Sequence, residues 1–111
     1  MCLFCDIAAG KIPSKVAYED EEIFAFHDIA PQAPVHILVI PRRHIQSVNE
    51  LTEADSALLG KLYAGIQKVA RDAGVAETGY RVISNVGKNG QQSVPHLHFH
   101  VIGGRPLNWN N

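Results

Sequence analysis

The chain has 111 residues, of which 46% are hydrophobic and 19% charged, and its formal net charge is -1. This length and composition predict one globular domain covering residues 1–111. A nearly neutral chain does not attract a long polyanion, which excludes a nucleic-acid partner. No apolar run approaches the about 20 residues that span a bilayer, and the first residues lack a basic leader pattern. We therefore expect a cytoplasmic protein with no membrane partner.

The predicted elements are a short helix, three strands, a long helix and two further strands. The short helix is expected at residues 5–9, and the first three strands at 15–19, 23–28 and 35–40. The long helix is expected at 53–73, because Thr52 is a good N-cap and apolar residues recur at helical spacing as far as Ala73. The last two strands are expected at 80–85 and 96–102.

This order of elements predicts an α+β fold. We expect a five-stranded antiparallel sheet with one long and one short helix, covered on one face. The segments 30–34 and 86–93 are predicted loops, because the first contains two prolines and the second is polar and contains glycines. The edges of such a sheet need covering or pairing, and dimerisation is one solution.

Two cysteines lie close to the N-terminus, and both belong to a Cys-x-x-Cys spacing. In a reducing compartment, the spacing of Cys2 and Cys5 favours half of a tetrahedral zinc site or a redox motif over a structural disulfide. A free dithiol and a disulfide both stay open at this point.

The densest signal is three histidines at alternate positions near the C-terminus, His96, His98 and His100. Alternate residues of a strand share one face, so the three rings are expected side by side. The outer two stand about 13 Å apart, too far to share one zinc ion with bonds of about 2 Å. The three rings must therefore have separate roles. A row of surface histidines is the alternative, but the apolar residues between them argue against it.

Imidazole is suited to attack on phosphorus, because it is neutral near pH 7 and its phosphorus adduct is labile. A second ring, as an imidazolium, can hold the charge of the phosphate. Further donors are available from Asn85, Ser93 and the main chain of residues 87–90. The pattern thus predicts a phosphate site with a covalent histidine.

The chain resembles the histidine triad (HIT) family, and within it the Hint branch. The resemblance rests on the His-x-His-x-His motif and on segments 26–36, 39–41, 90–100 and 103–105, together with Trp109. It covers nearly the whole chain. It implies a HIT-like fold whose sheet extends across a homodimer. The implied activity is hydrolysis of purine nucleoside phosphoramidates, namely adenosine 5'-phosphoramidate and AMP-amines, which releases AMP through a nucleotidyl-histidine.

The resemblance also implies roles for individual residues. His98 matches the nucleophile, His100 the neighbouring phosphate-binding histidine, and His36 an additional active-site histidine. The remaining contacts to nucleotide and leaving group are matched by six further residues. Asp28 matches the ligand of the ribose hydroxyls, His27 and Ile29 line the nucleoside pocket, Asn85 and Ser93 contact the phosphate and leaving group, and Trp109 reaches toward the partner subunit's site.

Two positions depart from the Hint pattern: Gln91 stands where a second glycine is common, and Pro95 where an aromatic residue is common. Several matched residues also have simpler interpretations. Asp28 can be a strand-end cap, Ser93 a loop hydroxyl, Trp109 an exposed aromatic residue and His27 a packed strand histidine.

For the cysteine pair, the resemblance implies a structural zinc ion held by Cys2, Cys5, His44 and His96. Four protein ligands leave no open position for water, so the ion would pin the N-terminus without taking part in chemistry. The phosphate site needs no metal.

Three other functions compete with the phosphoramidase. The first is a dinucleoside polyphosphate hydrolase of a sister HIT branch, and the second is a nucleotide-binding regulatory protein with weak catalysis. The third is a zinc-binding structural module.

Overall fold

The computed structural model describes residues 2–109, and the elements follow the expected order. The helices are α1 (Leu3–Ala8) and α2 (Ser56–Asp72), and the strands are β1 (Val16–Glu19), β2 (Ile23–His27), β3 (Val35–Pro41), β4 (Tyr80–Ile83) and β5 (Phe99–Gly103). Short 3-10 turns at Val48–Glu50 and Glu53–Asp55 precede α2. Among the described residues, no helix is both long and apolar enough to cross a bilayer.

The five strands form one antiparallel sheet in the order β1-β2-β3-β5-β4, which confirms the predicted fold class. Strand β3 is central and buried along almost its whole length. In its register with β5, Leu38 is opposite His100 and His36 is opposite Ile102. Because side chains alternate along a strand, His36 and His100 lie on the same face as diagonal neighbours.

Each face of the sheet packs against a helix. Helix α2 covers one face with Leu62, Ile66 and Val69, which pack against the odd-numbered residues of β3. Helix α1 covers part of the other face, where Phe4 and Ile7 pack against a second apolar cluster. The expectation of cover on one face only is therefore wrong, because the short helix has its own buried apolar side.

Several predicted boundaries also need correction. The short helix, expected at residues 5–9, is Leu3–Ala8. The last strand begins at Phe99 rather than at residue 96, because Leu97 N–H donates to the carbonyl of Ile45 in a loop, outside the sheet (2.6 Å). The strand expected at 80–85 ends at Ile83. The helix expected at 53–73 starts with a 3-10 turn, where Thr52 caps the chain as predicted, and α-helix begins at Ser56.

Candidate active site and metal-binding cluster

The structure divides the three alternating histidines between two places. The rings of His98 and His100 are neighbours, with centroids 5.0 Å apart, and His36 lies 5.1 Å from His100. Asp28 joins them through its carboxylate, which is 3.5 Å from Nε2 of His36. His96 instead lies before the strand and faces the cysteines.

One hydrogen bond fixes the tautomer of His98. Its Nδ1 lies 2.7 Å from the main-chain carbonyl oxygen of His96 and must donate a proton to it. In the neutral ring, Nε2 then carries a free lone pair. No residue in 2–109 hydrogen-bonds to Nε2, and this region contains no buried, unpartnered side-chain polar atom. Nε2 of His98 therefore reaches solvent, although the residue as a whole is only 4% exposed.

A chain of hydrogen bonds fixes the tautomer of His100 in the opposite sense. The main-chain N–H of Gln32 donates to Nδ1 of His36 (3.0 Å), so the proton of that neutral ring is on Nε2. Nε2 of His36 donates to Nδ1 of His100 (2.9 Å). The proton of His100 is consequently on Nε2. The site thus pairs an acceptor nitrogen on His98 with a donor nitrogen on His100.

Burial keeps these rings uncharged. It lowers the pKa of His98 and of His36 below the ordinary value, and the charge of Asp28 opposes the shift in both. For His100, burial and then the neighbouring His98 and His36 lower the pKa to about 4. At pH 7 the free protein therefore presents a neutral N–H donor at His100 rather than the imidazolium that we expected.

The loop between β4 and β5 contains the predicted phosphate contacts and is held by its own side chains. A Cβ at Gly90 would collide with the carbonyl oxygen of Val86, so only glycine fits there. Gln91 is the only non-glycine residue in 2–109 with a positive φ, 60°. The amide of Asn85 donates to the carbonyl of Gly90 (2.7 Å), so one of its two N–H groups braces the loop. Ser93 is exposed.

The proposed nucleoside contacts are less closely grouped. Asp28 follows β2 and accepts a hydrogen bond from Ala30 N–H (2.7 Å), so it also shapes its own turn. Ile29 is fully exposed. His27 is opposite Ile37 and lines a cavity of about 200 Å³ beneath α2, on the other face of the sheet from the triad.

Trp109 lies in the tail after β5 and is 94% exposed. The guanidinium of Arg81 stands 5.4 Å from the centre of its ring and donates to the carbonyl of Asn108 (2.7 Å). Within the described chain the tail is therefore held against β4.

The second cluster consists of Cys2, Cys5, His44 and His96, whose ligand atoms all lie within 4.8 Å of one another. Nδ1 of His96 is 3.2 Å from Sγ of Cys2 and 3.4 Å from Sγ of Cys5, and Nδ1 of His44 is 3.4 Å from Sγ of Cys5. Adjacent sulfur and nitrogen ligands of tetrahedral zinc stand about 3.6 Å apart. The donor set and its spacing fit that ion.

Two further features suit a metal at this cluster. Nε2 of His96 donates to the carbonyl of Pro41 (2.8 Å), which leaves the Nδ1 lone pair free to face the thiols. Burial, followed by the adjacent Cys2, raises the pKa of the Cys5 thiol to about 11. Without a cation this thiol stays protonated at pH 7, so metal binding there releases a proton.

Sequence reasoning missed several residues that hold these sites together. Gln92 joins two loops, since its side-chain amide donates to the carbonyls of Gln46 (2.7 Å) and Val94 (3.0 Å). Phe4 packs directly against His98, with ring centroids 5.1 Å apart. Gln32 acts through its main chain. No motif signals such contacts, because each depends on tertiary proximity.

The HIT domain family matches residues 9–107. The chain belongs to this family. It is 48% identical to an uncharacterised HIT-like protein of Buchnera aphidicola subsp. Baizongia pistaciae, over 97% of this chain and 98% of that protein. It is 44% identical to the purine nucleoside phosphoramidase of Escherichia coli K12, over 95% of this chain and 88% of that one.

A solved structure from the HIT family has the same fold. The crystal structure of a HIT family hydrolase from Legionella pneumophila Philadelphia 1 superposes with a TM-score of 0.96 at 47% identity, covering 98% of this chain and 97% of that chain. The family assignment and the fold expected from the HIT resemblance are therefore confirmed.

Proposed function

We propose that this HIT protein hydrolyses the P–N bond of purine nucleoside phosphoramidates, adenosine 5'-phosphoramidate and AMP-amines among them, with His98 as nucleophile. The observation that carries the proposal is the hydrogen bond from Nδ1 of His98 to the carbonyl of His96, 2.7 Å long. It leaves Nε2 as a neutral, solvent-facing lone pair. The name of the E. coli relative supports the substrate class.

The first chemical step transfers the nucleotide to the protein. The Nε2 lone pair of His98 forms a bond to the α-phosphorus. The electron pair of the P–N bond leaves with the amine, which takes up a proton from solvent. Nε2–H of His100 donates to a phosphoryl oxygen, where negative charge increases during attack. The anionic phosphate raises the proton affinity of His100 and so strengthens this contact.

The second step releases AMP. Water attacks the phosphorus, and the electron pair of the bond between phosphorus and Nε2 returns to His98. One proton of the water goes to solvent and the other remains on the product until it ionises. Two moderate barriers replace one direct displacement. No metal ion is required at the phosphate.

The other binding roles follow the family pattern and belong to this proposal. Asp28 takes the ribose hydroxyls, His27 and Ile29 contribute to the nucleoside pocket, and Asn85 and Ser93 lie near the phosphate and the leaving group. In a homodimer, the exposed Trp109 contributes to the partner's site.

We further propose that Cys2, Cys5, His44 and His96 hold one zinc ion. With four protein ligands the ion has no position for water, so it supplies structural cross-linking. His96 contributes Nδ1, and its Nε2–H bond to Pro41 orients the ring.

The test of the catalytic proposal is substitution of the nucleophile. We expect His98→Ala to lose turnover of a fluorogenic adenosine phosphoramidate by about four orders of magnitude or more, as removal of catalytic nucleophiles does elsewhere. It should still bind AMP, because His100 and Asp28 remain. Rapid-quench mass spectrometry of the wild type should find an adenylyl group on a peptide containing His98. Normal turnover by His98→Ala would refute the assignment.

Comparison of leaving groups separates the related activities. The same enzyme is assayed with an AMP-amine and with a dinucleoside polyphosphate at equal concentration. Higher kcat/KM for the AMP-amine supports the phosphoramidase, and the reverse order assigns a dinucleoside polyphosphate hydrolase. Nucleotide binding without any adduct or turnover indicates a regulatory binding protein.

A further inference from the structure

Phe4 lies in sequence between the two cysteines of the metal-binding cluster and in space beside the proposed nucleophile. Its ring packs edge-on against the imidazole of His98, with centroids 5.1 Å apart and planes at 86°. It also contacts the ring of His96, at 6.1 Å, and that of Phe26, at 5.4 Å. Phe4 is only 5% exposed. Helix α1 therefore packs against one side of the His98 ring through Phe4.

Helix α1 has six residues, too few to be stable alone, so its position depends on anchors. At its N-terminal end Cys2 is the N-cap, and both cysteines face His96. At its C-terminal end the guanidinium of Arg42 donates to the carbonyl of Ala8 (2.7 Å). The segment that follows β3 thus contacts α1 at two places, since Nδ1 of His44 also lies 3.4 Å from Sγ of Cys5.

The cluster also reaches His98 by a second route. The ring of His96 contacts the thiols through Nδ1. Its main-chain carbonyl accepts a hydrogen bond from Nδ1 of His98, 2.7 Å away. Any rotation of the His96 main chain would move the acceptor that fixes the tautomer of His98. One residue therefore belongs to both sites, and Phe4 connects them independently.

We infer that the Cys2–Cys5–His44–His96 cluster, acting through Phe4 and the carbonyl of His96, holds the His98 imidazole in its attacking orientation. The inference rests on the proposed function. It makes Phe4 a positioning residue and gives the cluster an effect on the phosphoryl-transfer rate, beyond fastening the N-terminus. Occupation of the cluster by zinc fixes α1, and loss of the ion frees the His98 ring.

Phe4→Leu tests the first route, because it removes the aromatic ring, retains apolar volume and leaves every metal ligand in place. The matched control is Phe24→Leu, since Phe24 is buried in the same apolar cluster and its ring contacts Phe26 and the guanidinium of Arg42 rather than His98. Arg42 keeps its hydrogen bonds to Asp20, Glu19 and Ala8 in this variant, so the anchor of α1 stays in place. In zinc-loaded protein we expect Phe4→Leu to slow single-turnover adenylylation about tenfold to a hundredfold, the usual cost of misplacing a reacting group. KM should change far less, and Phe24→Leu should retain the wild-type rate.

A second measurement needs no mutation and no turnover. Long-range proton–nitrogen correlation spectra of the histidine rings, recorded at pH 7, report the tautomer of His98. Zinc-loaded wild type should show Nδ1–H alone. Protein stripped with a chelator should show a mixture of tautomers or a broadened ring signal, and added zinc should restore the original spectrum. Cys5→Ser should give the stripped spectrum in the presence of zinc.

The outcomes separate this inference from the proposed function. If wild type forms no adenylyl-His98, the proposed function fails, and the spectra still decide whether the cluster orients the ring. If wild type forms the adduct but Phe4→Leu matches Phe24→Leu, or changes KM alone, the positioning role of Phe4 is refuted. An unchanged His98 spectrum after zinc removal refutes the role of the cluster. Phe4→Leu retains its metal ligands, so its result stands even if the stripped chain unfolds.

Discussion

Hydrogen bonds that begin at the main chain determine the tautomers of the two histidines proposed to be catalytic. Nδ1 of His98 donates to a carbonyl, so Nε2 of that ring has a free lone pair. Nδ1 of His36 instead accepts from a main-chain N–H, so its Nε2 donates to Nδ1 of His100 and the proton of His100 is on Nε2. The same residue type thus presents an acceptor nitrogen at one position and a donor nitrogen at the other. The sequence predicts which histidines take part, because their spacing is visible, but their tautomers depend on loops far away in the chain.

The depressed pKa of His100 predicts how stability varies with pH. In the unfolded chain this histidine titrates near 6.5, and in the folded protein at about 4. As the pH falls through this window, the unfolded state binds the proton first, so folding stability present above pH 6.5 is lost toward pH 4. The loss from this group is about 3 kcal/mol.

Urea unfolding at pH 7 and pH 4.5 measures the effect, with chelator present throughout so that metal loss does not contribute. His100→Gln should reduce the difference between the two midpoints. Part of the difference should persist, because burial also lowers the pKa of His36 and His98. An equal difference in wild type and variant would contradict the pKa assignment.

At the scale of elements, the loop between β4 and β5 contains a position where the backbone prefers glycine but the chain has Gln91. A left-handed conformation destabilises the folded state by about 1–2 kcal/mol at a residue with a side chain. Glycine avoids this strain, but its greater conformational entropy in the unfolded chain offsets about 0.5–1 kcal/mol of the gain. We expect Gln91→Gly to stabilise the fold by about 0.5–1 kcal/mol, seen as a higher urea midpoint.

Gly90→Ala is the comparison for this loop. Its new Cβ would meet the carbonyl of Val86, so the loop must distort and the midpoint should fall. A lower midpoint for Gln91→Gly would mean that contacts of the glutamine side chain outweigh the strain of its backbone. The sequence showed the departure from the family pattern at position 91, and the structure gives its conformational basis.

The elements themselves were largely predictable, since hydrophobic periodicity and capping residues are local signals. Thr52 capped the long helical segment as expected. The failures have a common physical origin in contacts between distant segments. The last strand starts late because Leu97 N–H donates to the loop carbonyl of Ile45. The short helix covers the second face because Phe4 packs against apolar residues of β2 and β3. The family resemblance assigns His27 to the nucleoside pocket; the alternation of β2 turns its side chain toward α2, and the assignment stays a prediction.

For the whole molecule, the proposed zinc cluster joins the start of the described chain to the segments that follow β3 and precede β5. We expect zinc at a thousandfold excess over its dissociation constant to stabilise the fold by about 4 kcal/mol, measured as an upward shift of Tm. Cys5→Ser should lose most of this shift, and Mg²⁺, which avoids thiolate ligands, should give none. A wild-type Tm insensitive to both zinc and chelator would contradict a structural metal. The homodimer stays a prediction at this scale.

The contact between Gln32 and His36 has a consequence for how this protein tolerates sequence change. What reaches the ring is a peptide N–H, which nineteen of the twenty standard residues possess. The side chain at position 32 therefore has almost no effect on which nitrogens of His36 and His100 carry protons, with proline as the exception. A comparison of side chains alone would therefore miss a contact on which the proposed chemistry depends.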